Sequence, residues 1–248
     1  MFSMKILVCI THVPDTTSKI SFKDEDSKFD NSGVQFIIGP YDDYALARAV
    51  ELKEEKGGSI TVLNVGLVET EPTIRKALAI GADKAIRINA EPKDAFFVAH
   101  QIAQVVKVAD YDLILTGRES IDFNGGQVHG MLGELLDMPS VSPVMRLDVE
   151  GNIAKLSREI EGGKEFLEGK LPMIAGCQEP IAEWKIPNMR GIMSARSKPL
   201  DVLEPFDDGH RTVVENFVIP AAKSGVKMID AENVSELVNL LKNEAKVL

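Results

Sequence analysis

Short apolar runs recur along the first half of the chain, separated by longer stretches whose apolar residues fall three and four apart, and few folds satisfy that alternation. The runs at 5–10, 60–65, 84–88 and 112–116 have the length of buried strands. Between them, residues 42–56 place Leu46, Ala49 and Val50 on one stripe and stop at Gly57-Gly58. Thr70 is positioned to cap a second helix, with Pro72 in its first turn, Ile74, Ala77 and Leu78 inward, and Gly81 as its stop. A third helix is expected over 94–108. Val128, Met131, Leu132, Leu135 and Leu136 keep helical spacing up to Asp137, before Pro139. Strands that read apolar throughout are covered on both faces, and their crossovers are right-handed. The expected fold is therefore α/β, a doubly wound, mostly parallel sheet with helices on both faces. Its ligand crevice should lie at the carboxyl ends of the strands.

Two regions break the alternation. Residues 19–38 have strand-like ends around an Asp/Asn/Ser/Gly-rich middle, which suggests an inserted β-hairpin. Residues 140–177 read as a β-meander with turns at Glu150-Gly151-Asn152 and Glu161-Gly162-Gly163. From Glu179 to about Asp230 the periodicity dissolves into a Pro-punctuated tract, and Val234, Leu237, Val238 and Leu241 then form a short amphipathic helix. This divides the chain into a nucleotide-binding α/β domain, 1–178, and an extended C-terminal arm, 179–248. An apolar-faced helix ending such an arm suits wrapping around another subunit.

Charge removes one class of partner. With 28 Lys plus Arg against 38 Asp plus Glu, a net charge of −10, the chain lacks the basic face that holds nucleic-acid phosphates. Cys9 and Cys177 each sit in an apolar run as expected buried free thiols, so neither a disulfide framework nor a cysteine-ligated zinc site is expected. No stretch approaches eighteen apolar residues and no leader pattern is present; a cytosolic location without direct membrane insertion is expected. The P-loop motif, a pyrophosphatase SGGxDS loop, paired metal-spaced histidines, a nucleophile elbow and a glycosidase carboxylate pair are all missing. His100 reads as a core or boundary residue, and His129 as either ligand-facing or solvated.

The most informative stretch is GRESIDFNGGQVHGMLGELL, 117–136, directly after the fourth run. A strand, a loop containing Gly125-Gly126 and a helix start leave backbone N–H groups where a phosphate can approach. Ser120, Asn124 and Gln127 add neutral donors, Arg118 adds a mobile positive charge, and Asp122 is expected to hold loop backbone. An ordinary strand-to-helix turn reads the same way. In a second loop, Gly39-Pro40 fixes a turn before a helix that Asp42 or Asp43 could cap; it becomes a crevice wall only if it faces the first loop, with Cys9 and Val65-Gly66 as floor. Further on, WKIPNMRGIMSARSKP, 184–199, interleaves Lys185, Arg190, Arg196 and Lys198 with Trp184, Ile186 and two Met, without an acidic residue. Solvated surface and a docking surface both fit that composition.

Several segments together resemble one family end to end: MKILVCITHVPDT, GPYDDYALARAVELKEEKG, TIRKALAIGADKAIRI, GRESID with Gln127 beyond it, IEGGKE, LPMIAG and IPNMRGIMSARSKPL. The chain resembles the electron transfer flavoprotein beta-subunit family. The resemblance implies an electron carrier rather than a substrate-transforming enzyme, paired with an alpha subunit that holds FAD near the subunit contact. It also implies a structural AMP in the beta chain, and transfer of electrons from acyl-CoA dehydrogenases or related flavin dehydrogenases to a membrane quinone oxidoreductase, as in fatty acid oxidation. The family's AMP contacts fall on Cys9, on Gly39, Pro40, Tyr41 and Asp42, on Val65, and on Gly117, Arg118, Glu119, Ser120, Ile121, Asp122, Phe123, Asn124, Gly125, Gly126, Gln127 and Val128. Ile186, Pro187, Asn188 and Met189 look like its dehydrogenase-docking loop. Gly39 and Gly125 depart from the Asn and the polar residue usual there, and Phe123, His129 and Gly130 are also unusual, leaving more of the ligand to main-chain N–H groups. An electron-bifurcating relative with a second FAD in place of AMP, and an adenine-nucleotide hydrolase or sensor of the same fold, are the alternatives.

Overall fold

A computed structural model describes residues 3–207, 209–222 and 225–248. In chain order the strands and helices are β1 (Met4–Cys9), β2 (His12–Pro14), β3 (Phe22–Lys23), β4 (Lys28–Phe29), β5 (Phe36–Ile38), α1 (Pro40–Lys56), β6 (Gly58–Val65), α2 (Glu71–Ile80), β7 (Lys84–Ile88), α3 (Ala95–Lys107), β8 (Leu113–Gly117) and α4 (Val128–Leu136). There follow β9 (Ser140–Glu150), β10 (Ile153–Ile160), β11 (Gly163–Lys170), β12 (Met173–Cys177), α5 (Met189–Ala195), β13 (Leu200–Leu203) and α6 (Val234–Asn243).

Nine strands form one sheet in the order β11-β10-β9-β12-β8-β1-β6-β7-β13. β12, β8, β1, β6, β7 and β13 run parallel, and β9, β10 and β11 pair antiparallel at one end. The doubly wound expectation holds. Alternate residues serve opposite layers: Ile6, Val8, Leu113 and Leu115 join the core under α1 and α2, while Leu7, Cys9 and Ile114 join that under α3 and α4. From β1 the chain winds outward through β6 and β7, then returns to place β8 on β1's other side, so the topological switch point lies between β1 and β8. The buried Arg48 of α1 ties on the antiparallel end: its Nε donates to the Leu147 carbonyl at 2.8 Å and a terminal nitrogen to Asp148 at 3.2 Å.

Several expectations are corrected. An inserted hairpin is present within 19–38, but it is the short pair of Phe22–Lys23 with Lys28–Phe29, whereas the far end, Phe36–Ile38, pairs with His12–Pro14. The meander is confined to β9–β11, and β12 instead enters the sheet between β8 and β9. Its sequence, MIAGC, is apolar at every position because both faces are buried, unlike β11, which alternates. Thr70 does not cap α2 with its side chain, since its hydroxyl donates back to the Leu67 carbonyl at 2.8 Å. The third helix, expected over 94–108, runs over Ala95–Lys107, and Asp94 caps it, its carboxylate accepting from Phe97 N at 2.7 Å.

The chain divides into two compact units: one of residues 1–20 and 30–215, the other of 21–29 and 216–248. The first unit runs past the boundary expected at 178, because β13 pairs with β7 and the 206–207 backbone bonds Gln101 of α3. In the second unit Phe22 stacks on Phe217 at 4.6 Å, and α6 carries the expected apolar stripe with no buried residue. Among the described residues no helix is long and apolar enough to cross a membrane.

Candidate functional site

Parallel strands bring their carboxyl ends to one edge, and at the switch point two loops meet there. Asp42, in the first turn of α1, joins them. One carboxylate oxygen accepts from Thr11 N at 2.8 Å and Thr11 Oγ1 at 2.6 Å, just beyond β1; the other accepts from Gly117 N at 2.8 Å, at the end of β8. The residue is 3% exposed. Burial pushes its carboxyl up to about 6, against the pull of those three bonds. Asp42 is thus a cross-strand tie rather than a helix cap, and the N-cap position falls on Gly39. That glycine packs closely on the same tie: a Cβ there would stand 2.4 Å from Thr11 Oγ1 and 2.6 Å from Asp42 Oδ2, so a side chain would displace them. Neighbouring Asp43, also raised to about 6 by burial, lies 3.7 Å from Lys76 Nζ.

The second link is Tyr41 with Arg118. The guanidinium sits 4.9 Å from the phenol ring centroid, donates to Gln178 Oε1 at 2.9 Å and pairs with Glu119 at 2.9 Å. Arg118 is therefore fixed, not the mobile charge expected from the sequence. Pro40 opens α1 beside these residues, and Cys9 and Val65 end β1 and β6 on the same edge. Burial raises the Cys9 and Cys177 thiols, as expected of inert core cysteines.

From Glu119 and Ser120 the loop passes Ile121 and turns through Asp122, which accepts from Phe123 N at 2.9 Å and from the Ser120 hydroxyl, as expected of a loop-holding Asp. Asn124 N bonds the Ser120 carbonyl at 2.7 Å. Asn124 and Gly126 adopt positive φ, 49° and 58°, which turns the backbone over before Gln127 and Val128 start α4. The stretch 122–127 is exposed, and a Cβ added at Gly125 would meet nothing within 4 Å. The cradle is open. Beneath it lies His129, whose ring faces the carbonyls of Arg118 and Gly126 and whose pKa is lowered by burial. It supports the loop from inside and is not solvated. Thr11 and Gln178 were the residues missed; Thr11 acts on Asp42 and Gln178 on Arg118, partners distant in sequence that the fold brings together.

Two surface hollows, of about 550 and 320 Å³, lie elsewhere, beside Gly133–Ser140 and beside Tyr111–Asp112.

Ile186, Pro187, Asn188 and Met189 are not part of this edge. They lead into α5, which packs on the C-terminal half of α2, and because α2 runs antiparallel to the strands that half lies toward the amino edge. Ile186 is 76% exposed and Met189 73%.

Fold and edge together define a doubly wound α/β protein with an open, glycine-lined strand–loop–helix turn at its switch point. Residues 26–208 match the family model described as electron transfer flavoprotein domain. Over 260 residues, 99% of this chain and 100% of the relative, it is 36% identical to electron transfer flavoprotein subunit beta of Bacillus subtilis strain 168. Identity is 33% to the protein of that name from Bradyrhizobium diazoefficiens, with 99% and 100% covered, and 30% to that from Homo sapiens, with 100% of both covered. The chain belongs to the electron transfer flavoprotein family.

Proposed function

We propose that this chain is the beta subunit of a heterodimeric electron carrier, holding AMP at the switch-point edge and forming one wall around FAD carried with an alpha subunit. The single observation that supports the AMP reading is the open turn at Gly125-Gly126, where α4 begins and a phosphate meets main-chain N–H groups without a side chain in the way. Asp42 and the Arg118–Tyr41 stack hold the two loops at a fixed spacing, so the crevice is formed before a ligand arrives. FAD, when bound, supplies the one- and two-electron chemistry. The chain's own residues bind, space and shield; acyl-CoA dehydrogenases or related flavoenzymes are the donors and a membrane quinone oxidoreductase the acceptor in this reading.

Co-expression with an electron transfer flavoprotein alpha subunit is expected to give a yellow 1:1 complex, and a stable colourless monomer would overturn the assignment. Acid extraction of that complex should release one adenylate and one flavin per heterodimer. Two flavins without adenylate would replace AMP by a second FAD.

The segment from Trp184 to Met193 carries four large apolar side chains that are at least half exposed, Trp184, Ile186, Met189 and Met193, interleaved with Lys185 and Arg190. Apolar anchors inside a basic rim suit docking to a dehydrogenase with an acidic surface. Replacing Ile186 and Met189 by Ala is expected to weaken that contact by roughly 1–3 kcal/mol each. Stopped-flow reduction by the dehydrogenase should slow while flavin content stays constant; unaltered transfer would remove the docking assignment.

A further inference from the structure

A helix of seven residues cannot hold itself in water, because its nucleation cost is spread over too few bonds. Yet α5 presents Met189 and Met193, 73% and 70% exposed, on its outer side while its inner side touches α2. Gly191 comes so close that a Cβ there would lie 2.3 Å from the Ala79 carbonyl oxygen, and Ala195 is buried. The two helices are also joined by reciprocal side-chain bonds. Arg75 of α2 donates from one terminal nitrogen to the carbonyls of Ala195, at 2.8 Å, and Lys198, at 2.7 Å. The Lys198 ammonium donates back to the carbonyls of Leu78, at 2.7 Å, and Ala82, at 2.6 Å, where α2 leaves C-terminal carbonyls without helical partners. Asn188 completes the arrangement by capping α5 through Gly191 N at 2.8 Å.

We propose that Arg75 and Lys198 are positioning residues that lock α5 onto α2, so that Met189 and Met193 stand as a preformed docking surface for the dehydrogenase. This rests on the docking reading above. Association then orders little of the surface at the moment of contact, where a loose segment would lose affinity to ordering. Neither residue touches the partner in this arrangement; both act through the placement of α5.

Two readouts on the heterodimer test it. In Arg75→Met, hydrogen exchange of the 189–195 amides should quicken at least tenfold. With a purified acyl-CoA dehydrogenase and its acyl-CoA as reductant, the KM for the flavoprotein should rise severalfold with kcat and flavin content unchanged. Arg75→Lys, whose ammonium has no planar fork, should restore part of both effects. Gly191→Ala keeps every charge but pushes α5 off the Ala79 carbonyl, and should give the same KM-against-kcat split even if Arg75→Met folds poorly. Unchanged exchange overturns the lock. Faster exchange with an unmoved KM, alongside a raised KM in Met189→Ala, overturns the positioning role but leaves the docking reading intact. An unmoved KM in both Ile186→Ala and Met189→Ala removes the docking reading itself, and the positioning role with it.

Discussion

Asp42→Ala is expected to lower stability by about 2–5 kcal/mol at acid pH and by clearly less above neutrality. The loss at low pH comes from two backbone donors left without an acceptor, the buried Gly117 N at about 1–3 kcal/mol and the part-buried Thr11 N at somewhat less. The pH dependence follows from linkage. Folding raises this carboxyl from 3.8 to about 6, so the folded chain binds its proton more tightly than the unfolded chain does. That contribution is complete below the unfolded value and is lost as pH rises through about 6. The gap between wild type and variant should therefore narrow by about 2–3 kcal/mol between about pH 4 and pH 7.5. Asp43, raised in the same direction, faces Asp42 electrostatically, so Asp43→Asn is carried in both proteins to isolate the Asp42 contribution. Urea unfolding at the two pH values measures the gap; a constant or widening difference would show that the buried carboxyl does not retain its proton.

The second large effect is expected at Gly126, where Val should empty the nucleotide site. Its φ of 58° lies in the left-handed region, which costs a side-chain-bearing residue about 1–2 kcal/mol and disfavours a β-branched one further. Inside the protein a Cβ there meets nothing closer than the Arg118 carbonyl oxygen at 3.8 Å, so the obstruction falls mainly on the ligand side. Adenylate recovered from the heterodimer should drop at least tenfold. Gly125→Ala controls for folding alone, because a methyl there meets no protein atom within 4 Å and no positive φ is involved. Its thermal stability should match wild type. Full adenylate occupancy in Gly126→Val would place the phosphate elsewhere.

Where sequence and structure agree, the signal is local. The run at 84–88 is β7 residue for residue, and helical spacing placed α4 on Val128–Leu136. The third helix, expected over 94–108, runs over Ala95–Lys107 and starts on a cap whose carboxylate acts only three residues away. The errors cluster where the partner is distant or the local signal ambiguous. An Asp in the first turn of a helix resembles a cap, and nothing around Asp42 tells that its carboxylate bonds Gly117, 75 residues later. Likewise β12 lies next to the meander in sequence, yet its all-apolar pattern belongs to the parallel core.

Periodicity and glycine placement were enough to determine a doubly wound sheet with a glycine-containing loop before a helix start. Those properties depend on residues a few positions apart, and each residue carries its own preference. Tertiary structure alone decided that β1 and β8 are neighbours and that Asp42 ties their ends together. It also decided that α5 is clamped to α2 by Arg75 and Lys198. Such contacts depend on strand order, and a strand's own residues say how deeply it is buried without saying beside which strand it lies.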